Sequence, residues 1–419
     1  MRGSTFCALF PACAGIVGWA AYDDALMRLL HTADWHVGKT LKGHSRLAEQ
    51  ERVLREIVAI ARAQEVDAVL FAGDLYDSAA PTAQAQQLVI RTLMGLARDG
   101  IPVLAIAGNH DHAATLDAYR PLADVAGITL VGQVRTAERG GVVELTARST
   151  GERATVAVLP FLSQRYAVRA AELVTRTPAE NTGEYDQHLR EILANLTGGF
   201  RDDAVNLVMA HLTVLNGRMG GGERTAQSIF EYAVPATIFP VETHYVALGH
   251  LHRRQRVDAP CPVHYSGSPL AVDFGEEQNT PVVCLVEAAP GTPATVTDVP
   301  ITTARALRTV RGTVAELSVL AETMVGQDPE QADFLRVYVR EPARAGLREE
   351  VTTLLPTALE VRIDPEFAAP TATPRPAVVG AVERSPAELF HEYLGTRSID
   401  DGRVEALFRQ LHDRVTGSG

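Results

Sequence analysis

From Arg28 onward, short apolar runs alternate with longer amphipathic stretches, and the alternation lays out the first part of the fold. Arg28–Ala33 is an apolar strand that stops at Asp34. Leu47–Gln64 spaces its apolar positions as a helix does, and Val66–Ala72 ("VDAVLFA") is a continuous apolar run of the buried-strand type, stopping at Gly73-Asp74. Thr82–Arg98 is helical again, and Ile101–Ala107 is a second buried strand that closes on Gly108-Asn109-His110. Val205–Ala210 and Tyr245–Leu248 repeat the pattern, each followed closely by a His. Strands alternating with helices predict an α/β fold with helices on the sheet faces, and such sheets gather their sites at the C-terminal ends of the strands.

From about Ile301 the texture changes. Leu307–Arg311, a helix at Val314–Val325, Phe334–Val339, a helix at Leu347–Leu355 and Leu359–Ile363 read as a small βαβαβ unit without candidate ligands. "PEFAAPTATPRPAVVG" follows, a Pro/Ala/Thr-rich linker that cannot pack as a regular element. Ser385 and Glu388 then form a capping box with Pro386 at the first helical position, opening a helix that carries Leu389, Phe390, Tyr393 and Leu394. A second helix puts Val404, Leu407, Phe408, Leu411 and Val415 on one stripe. These two helices either fold back on the chain's own core or dock on a partner. The expected organisation is an extension at 1–26, a main domain at 27–300, a small domain at 301–364, a linker at 365–384 and paired helices at 385–416.

Charge and composition exclude some functions. A net charge of −12 rules out nucleic-acid binding through bulk positive charge, so any such contact needs local basic patches or metal ions. Lys39 and Lys42 are the only lysines, and both fall in the opening stretch. Cys7, Cys13, Cys261 and Cys284 form no CxxC pair, which fits a reducing, cytoplasmic compartment. Phe6–Ala21, an apolar run after Arg2, resembles a secretory signal peptide but is short and Gly-rich for a membrane span. The other reading is an extension upstream of a true start at Met27, favoured by the strand that begins directly at Arg28.

Five strand ends supply metal-ligand residue types: Asp34-x-His36; Gly73-Asp74-x-x-Asp77; Gly108-Asn109-His110-Asp111; His211; and Gly249-His250-Leu251-His252. In extended chain, residues i and i+2 share a side, so Asp34 with His36, and His250 with His252, are expected to face one cavity. Two Asp, one Asn and four His are a mixed oxygen and nitrogen set, too many for one ion and suited to two of the Mn²⁺, Fe²⁺ or Zn²⁺ kind. "TADWHVGKT" can also be read as a degenerate phosphate loop. That reading fails because Asp34 would repel phosphate, Ala33 replaces the first Gly, and no helix opens at Thr40. The Gly-rich "NGRMGGGER" lacks the Lys-Ser/Thr ending and reads as a mobile loop.

These residues resemble the calcineurin-like metallophosphoesterase superfamily, whose signature is D-x-H, G-D-x-x-D, G-N-H-D/E, H and G-H-x-H. They are most similar to its double-strand-break-repair nuclease branch, through "LLHTADWHVGKTL", "FAGDLYD", "AGNHD", "GHLHRRQ", "YSGSPLAVDFGE" and "SPAELFHEYL". The resemblance runs from Met27 almost to the C-terminus. It implies a metallophosphoesterase β-sandwich flanked by helices, a small α+β capping domain and C-terminal partner-binding helices. It implies one metal on Asp34, His36, Asp74 and His252, and a second on Asp74, Asn109, His211 and His250, with Asp74 bridging and His110 catalytic. Asp77, Asp111 and His112 would support the site without ligating, and Ser266, Gly267 and Ser268 would be structural. The implied cofactor is two Mn²⁺, with Mg²⁺ or another divalent ion as the alternative.

The implied activity is that of a DNA nuclease in repair and recombination, a double-strand 3′–5′ exonuclease and single-strand or hairpin endonuclease. It would act as a homodimer within a heterotetramer that includes an ABC-type ATPase. Lys39, Lys42, Arg46, Arg253 and Arg254 would track DNA, and Leu389, Phe390, Tyr393, Leu394, Leu407, Phe408 and Leu411 would bind the ATPase. The alternatives are a phosphomonoesterase or cyclic-nucleotide phosphodiesterase of the same fold, which needs no terminal helices, and a non-catalytic scaffold, which would have eroded ligands.

Overall fold

The computed structural model describes residues 26–163, 178–223, 233–328, 331–368, 390–391, 393–395 and 402–408. The N-terminal extension up to residue 25, most of the linker, Leu389 and Leu411 lie outside the described residues. The chain then runs through β1 (Met27–Thr32), α1 (Leu47–Ala63), β2 (Ala68–Phe71), α2 (Ala83–Arg98), β3 (Val103–Ile106), α3 (Ala113–Val125) and β4 (Ile128–Val131). β5 (Val142–Thr146), β6 (Arg153–Leu159), α4 (Pro178–Thr197), β7 (Val205–His211), β8 (Tyr245–Gly249), β9 (Gln255–Val257) and β10 (Val263–Tyr265) follow. β11 (Val282–Ala289) and β12 (Thr292–Pro300) then return to the first sheet.

The first sheet has the order β12-β11-β1-β2-β3-β4, with β1 to β4 mutually parallel and β11 antiparallel to β1. The second has the order β9-β10-β8-β7-β6-β5, parallel from β6 through β7 and β8 to β10. Strand period decides which residues fill which layer. Leu29, Leu70, Leu104, Leu207, Met209 and Ala247 meet between the two sheets. Leu30, Val69 and Phe71 point the other way, against Val53 and Ile57 of α1 and Val89 of α2. Val208, Val246 and Leu248 pack against Leu189 and Leu193 of α4. Both faces of the central strands are thus covered, which is why they read as unbroken apolar runs rather than alternating ones.

A third sheet joins β13 (Leu307–Gly312), β14 (Phe334–Val339) and β15 (Ala358–Ile363) in that order, with α5 (Val314–Met324) and α6 (Leu347–Leu354) in the connections. Thr313 caps α5 in a reciprocal box with Glu316. Leu307 and Phe334 are buried together with Leu41, Ala271 and Phe274 of the main domain. Two compact units result: the described residues up to Val339 with Gly346–Arg362, and Arg340–Ala345 with the described residues from Ile363 on. Within the second unit, Phe390 stacks on Phe408 with ring centroids 4.1 Å apart, and His391 Nδ1 lies 2.5 Å from Glu405 Oε1. Leu394 is buried, whereas Tyr393 and Leu407 are about half exposed. Cys261 and Cys284 are buried and unbridged. Among the described residues, no helix is long and apolar enough to cross a membrane.

Candidate metal centre

The strand ends of both sheets converge on one buried cluster of side chains. Asp34 and His36 follow β1, Asp74 follows β2, Asn109 and His110 follow β3, His211 closes β7, and His250 and His252 follow β8. The expected pleat alternation is not how the pairs converge. Asp34 (φ 55°), His36 (φ 45°), Asp74 (φ 61°) and His250 (φ 99°) all have left-handed backbone, a conformation that L side chains seldom adopt. These are turns, not extended chain, and they aim side chains that a straight strand end would splay apart. Close backbone approach is built in as well. A Cβ on Gly108 would collide with the Asp74 carboxylate, and one on Gly73 with the His211 ring.

The Asp74 carboxylate lies at the centre. Its Oδ2 is 3.6 Å from His36 Nε2 and 3.5 Å from His211 Nε2, so one oxygen is flanked by an imidazole from each sheet. His36 Nε2 lies 3.0 Å from His252 Nε2. On the other side, Asn109 Oδ1 is 2.9 Å from His211 Nε2 and 2.8 Å from His250 Nδ1. The Asp34 carboxylate accepts the His250 N–H (3.0 Å) and belongs to two three-residue groups, one with His36 and His252, the other with Asp74 and His211. Lone pairs of imidazole, amide and carboxylate are directed at one another here, which wastes acceptors unless a cation takes them. The donor set therefore fits divalent ions of the borderline, nitrogen-accepting kind.

Surrounding residues hold this arrangement. Asp111 accepts the N–H groups of Gly108 (3.0 Å), Tyr76 (3.0 Å) and Leu75 (3.2 Å), tying the β2 and β3 loops together. His112 caps α3 by accepting the Thr115 N–H. Asp77 Oδ1 lies 4.0 Å from Nδ1 of both His36 and His110. Ser268 donates to the Asp34 carbonyl (2.8 Å). Phe161 stacks along His250. Sequence reasoning missed two carboxylates. Glu276 Oε1 lies 2.5 Å from His252 Nδ1, and Glu223 accepts the His252 N–H (3.0 Å). Glu223 belongs to the stretch read as a mobile loop, yet Gly220 packs against His252 there. Glu276 ends the "YSGSPLAVDFGE" motif and Glu223 lies in the Gly-rich stretch, but neither position signals a carboxylate beside His252, which each meets only through tertiary contact.

Burial dominates the electrostatics of these side chains by themselves. It pushes the Asp34 carboxyl up to about 7 and Asp74 well above the usual carboxylate range. His36 and His211 are held well below the ordinary imidazole value, again chiefly by burial. Burial also pulls His252 down, but the carboxylates of Glu276, Asp34 and Glu223 together outweigh it and His252 ends at about 9. A cation must therefore displace protons to bind. A raised carboxyl pKa means that metal affinity falls as pH drops through it. Mn²⁺ should bind about tenfold more weakly per pH unit below about 7 for each proton displaced. Calorimetry in buffers of different ionisation heat should register the released protons, and a pH-independent affinity without proton release would refute this coupling.

The basic candidates separate. Lys39 Nζ lies 3.1 Å from Asp77, beside His36 and His110. Lys42 reaches Glu360 (3.4 Å) and Asp273 (3.8 Å) at the third sheet. Arg253 is exposed. Arg46 is withdrawn as a DNA contact. Its guanidinium is buried, binds Glu49 in two hydrogen bonds of 2.8 Å, donates to the Ala271 carbonyl and lies over the Phe334 ring. Arg254 is withdrawn for a similar reason, since it donates to Asp298 (2.7 Å) and to the Tyr265 carbonyl (3.2 Å).

Residues 27–254 match the calcineurin-like phosphoesterase family. The chain is 39% identical over 285 residues to the D subunit of the nuclease SbcCD from Bacillus subtilis, covering 67% of this chain and 71% of that protein. It is 36% identical over 279 residues to the Rhodobacter capsulatus protein of the same name, covering 63% and 67%. For the Escherichia coli one the identity is 29% over 315 residues, covering 72% and 76%.

Proposed function

The chain belongs to the calcineurin-like phosphoesterase family, and from that premise we propose that it is a Mn²⁺-dependent DNA nuclease, the D-type subunit of an SbcCD-like complex. The observation that carries this reading is the Asp74 oxygen flanked at 3.6 and 3.5 Å by His36 and His211. One carboxylate oxygen set between two imidazoles suits two cations that share a bridge. Asp34, His36, Asp74 and His252 would hold one ion, and Asp74, Asn109, His211 and His250 the other. When bound, such a pair polarises a phosphodiester and lowers the pKa of a bound water.

The chain's own residues do the rest. The Asp74 Oδ1 accepts the His110 N–H (2.8 Å), which places His110 beside the bridge. Its ring Nδ1 lies 2.7 Å from the Asp77 carbonyl. A carbonyl can only accept, so Nδ1 carries a proton, and Nε2, once it too is protonated, would serve the substrate as acid or charge stabiliser. Lys39 and the exposed Arg253 would meet the DNA backbone. The third sheet would cap the DNA, and Tyr393 and Leu407 would offer apolar surface to an SbcC-type ATPase. A cytoplasmic heterotetramer containing two copies of this chain completes the reading.

The test is cleavage of single-stranded, linear duplex and hairpin DNA with Mn²⁺, with and without the ATPase partner. A chain truncated after residue 379 should lose co-purification with the ATPase but still cut single strands. Turnover of p-nitrophenyl phosphate with no DNA cleaved would move the assignment to a phosphomonoesterase.

A further inference from the structure

Among the candidate ligands, His252 is gripped from two sides by carboxylates. Its Nε2 lies 3.0 Å from His36 Nε2, while its Nδ1 lies 2.5 Å from Glu276 Oε1. Glu276 is 1% exposed and ends the short 3₁₀ turn Phe274–Glu276. Its other oxygen accepts the Val272 N–H at 2.7 Å, so the carboxylate cannot swing away without losing a backbone bond. Opposite, Glu223 takes the N–H groups of Gly220 (2.6 Å), Gly221 (2.7 Å) and His252 (3.0 Å). There is no slack: a Cβ on Gly222 would run into Glu276 Oε1, and one on Gly220 would fall 2.9 Å from the His252 Cβ.

We propose that Glu276 is the positioning residue of His252. Its carboxylate accepts the Nδ1–H hydrogen bond, which favours the tautomer whose Nε2 lone pair faces His36, and it sets the ring's angle. A buried carboxylate is costly unless it has such a partner, and a carboxylate behind a metal-binding imidazole strengthens the imidazole as a ligand. The same turn reaches the third sheet. Phe274 is buried with Leu307 and Phe334, and Glu277 accepts the Thr309 hydroxyl at 2.5 Å. The carboxylate that aims His252 thus lies two residues from a side chain packed against the third sheet.

The inference rests on the two-ion reading and is tested by Mn²⁺ titration of full-length wild type, Glu276→Ala and Glu276→Gln. Ions are counted by calorimetry, the coupled pair is followed by electron paramagnetic resonance, and the metal-free proteins are melted in parallel. Glu276→Ala should weaken one ion about 10–100-fold and leave the other within roughly threefold. Excess Mn²⁺ should restore cleavage. Glu276→Gln keeps the size and one acceptor but not the charge, and should fall between wild type and Glu276→Ala; it also serves if the alanine variant does not fold. Wild-type affinity for both ions in both variants overturns the proposal. So does equal weakening of both ions with a lowered melting point, which would mark Glu276 as packing only. A third wild-type ion lost in Glu276→Ala would make Glu223, His252 and Glu276 a cation site and overturn it too. A wild type that binds no Mn²⁺ refutes the two-ion reading itself, a result distinct from these.

Discussion

Asp74→Ala should leave a chain that retains at most one weakly held Mn²⁺ and cuts no DNA at a measurable rate. The variant removes the oxygen that lies between His36 and His211, and with it the feature common to both proposed ion positions. It also removes the acceptor of the His110 N–H, so the loop after β3 loses its anchor to the loop after β2. Any other single ligand change deprives one ion of one donor. Calorimetric titration should count two ions in wild type and no more than one weak site in the variant. Two intact sites in Asp74→Ala would refute the bridging role.

His110→Ala should do the opposite, sparing the metals and stopping the chemistry. The ring meets His36 edge-on at 4.6 Å, and Asp77 is its hydrogen-bond partner, so it stands beside the ion positions in a fixed tautomer. Loss of a positioned acid or charge stabiliser costs about 10²–10⁴ in rate, or roughly 3–5 kcal/mol of barrier. The variant should keep both Mn²⁺ ions, bind DNA nearly as wild type does, and cleave it at least about a hundredfold more slowly. Single-turnover cleavage alongside metal titration checks both halves. Near-normal cleavage would take His110 out of the mechanism, and loss of one ion would make it a ligand.

How much of the structure is legible in the sequence depends on whether a feature is local. β1, β2, β3, β7 and β8 announce themselves because two-sided burial forces unbroken apolar runs, whereas β6 and β11, also interior, were not read. The ligand positions are legible because each sits one to four residues beyond such a run. α3 was missed: Leu116, Tyr119 and Ala123 face the core, but the exposed Leu122 and Val125 and the internal Pro121 blur that stripe in the sequence. β12 was missed as well, being a half-exposed edge strand that begins Thr-Pro and ends in Pro, where proline is tolerated. Arg46 stands close to Asp34 and His36 in sequence, but a helix start turns it inward to Glu49. Left-handed backbone at four candidate ligands could not be placed from the sequence, because Asp and His tolerate it better than most L residues yet only a small minority of them adopt it. Glu223 and Glu276 meet His252 across 29 and 24 residues, so even the motif that ends at Glu276 does not say what its carboxylate touches.

The pairing of β1 with β11, Met27 opposite Ala288, has a consequence for the chain while it is being made. Asp34 leaves the ribosome more than two hundred residues before His252. At about 5–20 residues per second, the first half of the site waits roughly ten to forty seconds for the second. β1 gains its antiparallel neighbour later still, once β11 has emerged. Until then the strand is an open edge on that side. Translation order thus leaves the candidate ligands of the first sheet without those of the second until the chain's later half is delivered.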